Sequence, residues 1–270
     1  LQTTPFTDPS FTYTATALAA PSAVCALIVI GVGVAIVLRE RWSRVGWLHF
    51  FLSTTIGLWQ AGLAFSILSE SAAAGVWWAR FTTVSAILIV PIQYHFAMML
   101  AGTGGRRWQP VGAVWIIAGG FVFMLFGTDW FVREVHHYSW GWFSQYGPAG
   151  WAFIAFTVVT VQLCSIAYTR LRRKSPQGSI AQRRARLLFL GVTVGGIGAV
   201  DFLPTLGVDL FAFGGIGVML GNLVNAWATW RYRLVEITPA FAAQRFMDTM
   251  SDGVVVLDQD GLVRLVNPAA

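Results

Sequence analysis

Apolar residues gather along this chain in seven long runs, near 15–38, 46–67, 76–101, 110–127, 149–169, 187–207 and 211–230, parted by short polar stretches. A hydrocarbon core about 30 Å thick needs about 20 residues at 1.5 Å of rise each, so every run predicts a membrane-spanning helix. Past Arg233 the hydropathy falls. Thr238 as an N-cap with Pro239 at the first helical position predicts a short connector helix within 234–250, with Phe241, Phe246 and Met250 for one apolar face. The run Val254 to Leu257, the turn Asp258 to Gly261 and the run Leu262 to Val266 then read as strand, turn, strand. The expected fold class is therefore an all-α polytopic membrane protein, a seven-helix bundle over 1–233, followed by a connector over 234–250 and the beginning of an α/β domain over 251–270.

Charge orients this pattern. Arg39, Arg41 and Arg44 follow the first run, Arg106 and Arg107 the third, Arg170 to Lys174 and Arg183 to Arg186 the fifth, and Arg231 and Arg233 the seventh, whereas the stretch 128–148 holds only Arg133. The positive-inside rule places the N-terminus outside and the C-terminus in the cytoplasm of a multi-pass inner (plasma) membrane protein. Trp42, Trp47, Trp77, Trp78, Trp108, Trp130, Trp151, Trp227 and Trp230 lie near run ends and read as interfacial anchors. The stretch from Thr128 to Gly150 is crowded with aromatics and is expected to lie on the membrane or cover the bundle.

Composition agrees: 56% of residues are hydrophobic and 11% charged, and the mean hydropathy is +0.64, far from the soluble norm. The net charge of +6 resides in the topology clusters, so no nucleic-acid partner is expected; the lipid bilayer is. Cys25 and Cys164 read as small buried hydrophobes, without metal-ligand spacing. Leu1 is not a methionine, and Ala270 falls inside an unfinished pattern, so both ends are expected to be cut.

Polar side chains at membrane depth are costly and need a partner or a role. Gln60, Arg80 and Asp201 fall in the outer third of helices 2, 3 and 6 and are the candidates for signal binding. Arg80 and Asp201, at similar depth, read as a structural ion pair, as a signal site, or as residues out of contact. His49, Gln93, Tyr94, His95, Gln162, Asn222 and Asn225 lie towards the cytoplasmic half. Pro91, one turn before His95, makes a polar pocket plausible there, although a histidine satisfied by a neighbouring helix is the commoner outcome. No spacing supports haem ligation by His49 and His95. Glu134, His136 and His137 read as solvated loop residues more readily than as metal ligands, so no metal is expected. Gly191-x-x-x-Gly195 and Gly217-x-x-x-Gly221 favour close helix approach in lipid, as static packing or as a sliding pair.

With these residues in view, the chain resembles the seven-transmembrane N-terminal region of bacterial and archaeal sensor histidine kinases. Gln182 to Gly191, Asp201 to Gly207, and Gly221-Asn222 through Arg231 to Leu234 look like that family's last two helices and exit. Ser251 to Ala270 is similar to the opening of a PAS domain. The resemblance implies a receptor module passing a stimulus to PAS and on to an output kinase. It also implies a homodimer, a response regulator as downstream partner, and ATP and Mg used beyond residue 270. The same front end occurs on cyclic-di-GMP enzymes, which leaves the output open.

No catalytic residue or cofactor site is expected in the visible chain: it has no Gly-rich phosphate loop, metal triad or nucleophile arrangement. A retinal protein needs a lysine in the membrane, and the sole lysine, Lys174, falls in a cytoplasmic loop. A transporter would show internal repeats, and none is evident.

Overall fold

The computed structural model describes residues 9–40, 43–102, 108–232, 246, 249–257 and 263–270. Arg41, Trp42, Arg106, Arg107, Arg233, most of the expected connector over 234–250 and the turn from Asp258 to Gly261 lie outside the described residues. The chain divides into two compact units, Leu1–Arg233 and Leu234–Ala270.

The first unit is a helical bundle: α1 (Pro9–Arg39), α2 (Arg44–Ile67), α3 (Ala72–Leu100), α4 (Trp108–Gly127), α5 (Pro148–Lys174), α6 (Ile180–Gly195), a 3-10 segment (Gly196–Asp201), the single turn α7 (Phe202–Thr205) and α8 (Gly214–Arg231). Local chemistry sets several starts. Ser43 Oγ accepts from the Gly46 N–H at 3.0 Å, and Ser71 Oγ accepts from the Ala74 N–H at 3.3 Å, side-chain N-caps that allow α2 and α3 to follow short turns. α1 packs on α2 and α2 on α3, α4 flanks α3, α5 packs on α3 and α6, and α8 sits among α1, α2 and α6.

Among the described residues, six segments are long and apolar enough to cross a membrane: Ala15–Arg39, Arg44–Ile67, Ala72–Leu100, Trp108–Gly127, Pro148–Lys174 and Ile180–Thr205. The seventh expected span is present as α8 but falls short of that apolarity. Its Asn222, Asn225 and Thr229 are all buried, so its polar content faces protein, and helix neighbours replace the lipid contact that would demand an apolar surface.

The bounds of one expected helix are corrected here. The sixth helix begins at Ile180, not near 187, because Ser179 Oγ accepts from the Gln182 N–H at 3.2 Å while Gln182 Oε1 accepts from the Gly178 N–H at 2.9 Å. This reciprocal cap starts the helix ahead of Arg183 to Arg186, which therefore lie on its first turns and not in a loop. It also does not run unbroken to 207: the regular helix stops at Gly195 and gives way to the 3-10 segment and α7. The aromatic stretch after α4, expected to lie on the membrane or cover the bundle, is an antiparallel hairpin of β1 (Val132–Tyr138) and β2 (Gly141–Tyr146), paired from Val132 with Tyr146 to Tyr138 with Gly141.

The hairpin closes one end of the bundle. Phe131 and Val132 join a core with Ile87, Val90 and Phe153, while Tyr138, Trp140 and Phe143 join another with Ala19, Leu63 and Ile67. Gly141, at φ +145°, lets the turn come down on Ile67, whose Cα lies 2.8 Å from where a Cβ would stand.

In the second unit, β3 (Val255–Leu257) and β4 (Val263–Val266) form an antiparallel pair. Asn267 staples it: Oδ1 accepts from the Val254 N–H at 2.8 Å, and Nδ2 donates to the Asp252 carbonyl at 2.7 Å.

Candidate functional site

Beneath the hairpin lies a cavity of about 360 Å³ walled by α2, α3, α5, α6, the 3-10 segment and α8, within the size range of small-molecule sites. Its roof is held by directional bonds as well as packing. Tyr138 Oη donates to the Pro204 carbonyl at 2.7 Å, Trp140 Nε1 to Asp209 Oδ1 at 3.2 Å, and Trp142 Nε1 to the Ser69 carbonyl at 3.2 Å. Ser66 Oγ donates to the Trp142 carbonyl, and the Thr83 and Ser144 hydroxyls meet at 3.3 Å. The Trp142 ring fits against α3 because Gly75 leaves the space a Cβ would fill. Burial in the aromatic cluster pushes the Tyr146 phenol above its ordinary value, with the Thr83 contact opposing.

The walls are mainly aliphatic and aromatic, with a few polar groups set into them. Asp201 is 5% exposed. Its Oδ1 accepts from the Gly214 N–H at 2.6 Å, whereas Oδ2 has no hydrogen-bond partner among the described residues. The carboxylate thus sits at the N-terminus of α8, where unpaired N–H groups and the helix dipole favour an anion. Asn222 also lines the cavity, and its Nδ2 donates to Ser53 Oγ on α2 at 3.0 Å. Asn225 Oδ1 and Gln93 Nε2, on two further lining residues, have no partner among the described residues.

Of the three expected signal-binding residues, Asp201 lines the cavity; Gln60 is buried just behind it, against Gly215. Arg80 is exposed on α3, away from the cavity, and among the described residues no ion pair joins it to Asp201. Equal depth does not bring two helical residues together unless the helices also turn them to the same side. His49, fully buried, rests against the Phe96 ring at 5.4 Å with neither ring nitrogen bonded. It lies outside the cavity lining, as do buried Tyr94 and half-buried His95. His136 and His137 are adjacent on β1 and so point to opposite faces, one against Tyr138 and the other against Trp142. Among the described residues no group of three or more His, Cys, Asp and Glu is placed to hold a metal ion.

Three features escaped the sequence reading: Trp142 and Ser144 reach the cavity only because the hairpin exists, and Arg184, which is not part of the cavity wall, donates from Nη2 to the Leu100 carbonyl at 3.3 Å because α6 starts early. The signals for the last were present in the spacing of Ser179 and Gln182.

The bundle is thus closed by a hairpin, and its last helix is held at its start by Asp201, a residue of the cavity wall. Residues 21–239 match the family described as the N-terminal 7TM region of histidine kinase. The chain belongs to that family. It is a multi-pass membrane protein, and the family makes it the sensory input module of a histidine kinase. Comparison with curated proteins returns no match. The helix α8 is tied at its start to Asp201, midway to Ser53, and near its end to α1, where the Arg39 guanidinium lies 4.4 Å from the Trp230 ring centroid.

Proposed function

We propose that this module detects a small molecule held in the cavity and converts its binding into a displacement of α8. The observation that carries this reading is Asp201, which faces the cavity and also holds the first N–H of α8, so that any ligand acting on its free oxygen acts on the exit helix. A ligand shifts a two-state equilibrium only by its difference in affinity for the two states. A carboxylate shared between ligand and helix supplies such a difference.

In this reading the hairpin end faces outside and the arginine-rich end the cytoplasm. The connector over 234–250 passes the displacement to a PAS domain opening at Ser251, for which the antiparallel pair β3–β4 is suitable. Output is a two-component kinase, working as a parallel homodimer with ATP and Mg and phosphorylating a response regulator.

The test is autophosphorylation of the full-length protein in lipid nanodiscs, using the variant Val161→Trp, which fills the cavity from α5. The expected result is autokinase activity fixed at one level and indifferent to stimulus. Wild-type regulation in a folded Val161→Trp protein would reject the cavity as the input site.

A further inference from the structure

The cavity has an edge on the lipid side. Val158 and Gln162, one turn apart on α5, and Gly196 and Ala199 on the 3-10 segment all line it and are also exposed. Both stretches belong to segments apolar enough to span a membrane. Towards the hairpin the gap is shut by the Phe153 and Phe202 rings, whose centroids are 6.2 Å apart. From that contact, five residues along α5, about 7.5 Å, reach Val158. Three and six residues back from Phe202 along the 3-10 segment, about 6 and about 12 Å, reach Ala199 and Gly196. The exposed lining residues of the two elements therefore lie at one depth, and glycines on one side keep the space between them open.

The polar groups inside are unequal. Among the described residues, Asp201 Oδ2 and Asn225 Oδ1 are buried acceptors with no donor, and the surrounding wall is dominated by residues such as Ile89, Val90, Val192 and Val218. Buried acceptors of this kind are costly unless a donor reaches them. A volume of about 360 Å³ corresponds to about a dozen water-sized groups.

We propose that the cavity takes up from the bilayer, between α5 and the 3-10 segment, an amphiphile with a hydroxyl or amine head group that donates to Asp201 Oδ2 and an alkyl tail of about ten carbons. This rests on the reading of the cavity as the input site and adds the chemistry and route of its ligand. The tail lies against the aliphatic wall, and the head takes the one carboxylate that also holds α8. A molecule without a donor leaves Asp201 Oδ2 unpaired and binds more weakly.

The test uses residues 1–270 in phosphatidylcholine nanodiscs and a decanol analogue with a diazirine at the chain end, with labelled positions read by mass spectrometry. Labelling is expected inside the cavity, on positions such as Val161 and Val218, and is competed by decanol and decylamine about tenfold better than by decane or methyl decanoate. Val158→Trp, which narrows the lateral opening and leaves the Asp201 contact with α8 in place, lowers that labelling about tenfold. Asp201→Leu abolishes the preference for decanol over methyl decanoate. Labelling confined to the lipid-facing surface of α4, equal competition by decane, or undiminished labelling in Val158→Trp would each overturn the proposal. Occupancy is read here without any output. Absent labelling beside an autokinase that still responds to Val161→Trp rejects the amphiphile alone. Labelling as expected beside an autokinase indifferent to decanol rejects sensing and leaves the site.

Discussion

The carboxylate of Asp201 accepts a hydrogen bond of 2.6 Å from the backbone N–H of Gly214, thirteen positions later in the chain and at the start of the helix that leaves the bundle. A carboxylate at a helix N-terminus satisfies a donor that has no partner within the helix and meets the positive end of its dipole. Removing it leaves an N–H unpaired in a dry place. Asp201→Ala should cost about 2 kcal/mol of bundle stability and speed amide exchange at Gly214 and Gly215, while Asp201→Asn, which keeps an acceptor oxygen, should cost about half as much. Reversible unfolding in mixed micelles with hydrogen exchange checks both, and Asp201→Ala with unchanged exchange at Gly214 would show that the helix start is held by packing alone.

A second tie crosses to α2, where Asn222 Nδ2 donates to Ser53 Oγ at 3.0 Å and both residues are buried. Hydrogen bonds between membrane helices contribute modestly, because the unfolded chain also finds partners in lipid. A double-mutant cycle of Ser53→Ala and Asn222→Leu should give a coupling of about 0.6 kcal/mol. Additive losses would place the two side chains out of contact.

Close packing of α6 on α8 is the third expectation. At Gly221 an added Cβ would stand 2.5 Å from the Gly191 carbonyl oxygen and 2.7 Å from the Gly195 nitrogen, both backbone atoms that cannot turn aside. Gly221→Ala should therefore destabilise the bundle by about 1–3 kcal/mol. Gly119→Ala on α4, with nothing within 4 Å of the new carbon, should change stability by under about 0.5 kcal/mol and serves as the control. Equal effects at the two glycines would refute backbone contact between α6 and α8.

The helices were legible in the sequence because each apolar run is long enough for the bilayer, and six of them meet the length and apolarity of a span. What escaped depended on neighbours. The hairpin of Val132–Tyr138 and Gly141–Tyr146 was hidden because the aromatics of that stretch also fit an interfacial role, and its seat depends on the packing of β2 against α2, α3 and α7. Arg80 and Asp201 shared a depth, which sequence gives, but not an orientation around their helices, which it does not. The partner that Asp201 did find is a backbone N–H, and no side-chain pattern announces one. Gln60 and Asp201 could be picked out as buried polar residues from hydropathy alone, whereas the cavity that separates lining from non-lining residues arises only when the hairpin folds over the bundle.

That hairpin gives the last expectation. Tyr138 Oη donates to the Pro204 carbonyl at 2.7 Å and accepts from Gln145 Nε2 at 3.2 Å, while its ring stacks on Trp140 at 5.2 Å with the planes 2° apart. Tyr138→Phe keeps the stacking and removes both hydrogen bonds, leaving the Pro204 carbonyl without its donor. The cost should be about 1–2 kcal/mol, concentrated in opening of the hairpin and not in unfolding of the helices. Hydrogen exchange should accordingly quicken about tenfold across Val132–Tyr138 and Gly141–Tyr146 and remain unchanged in α2 and α3. Because Trp142, Phe143 and Ser144 roof the cavity, the same substitution should speed both uptake and release of a bound molecule and alter its affinity less than its rates. Uniformly faster exchange throughout the bundle would instead make Tyr138 a general core residue and remove the hairpin as a separately opening lid.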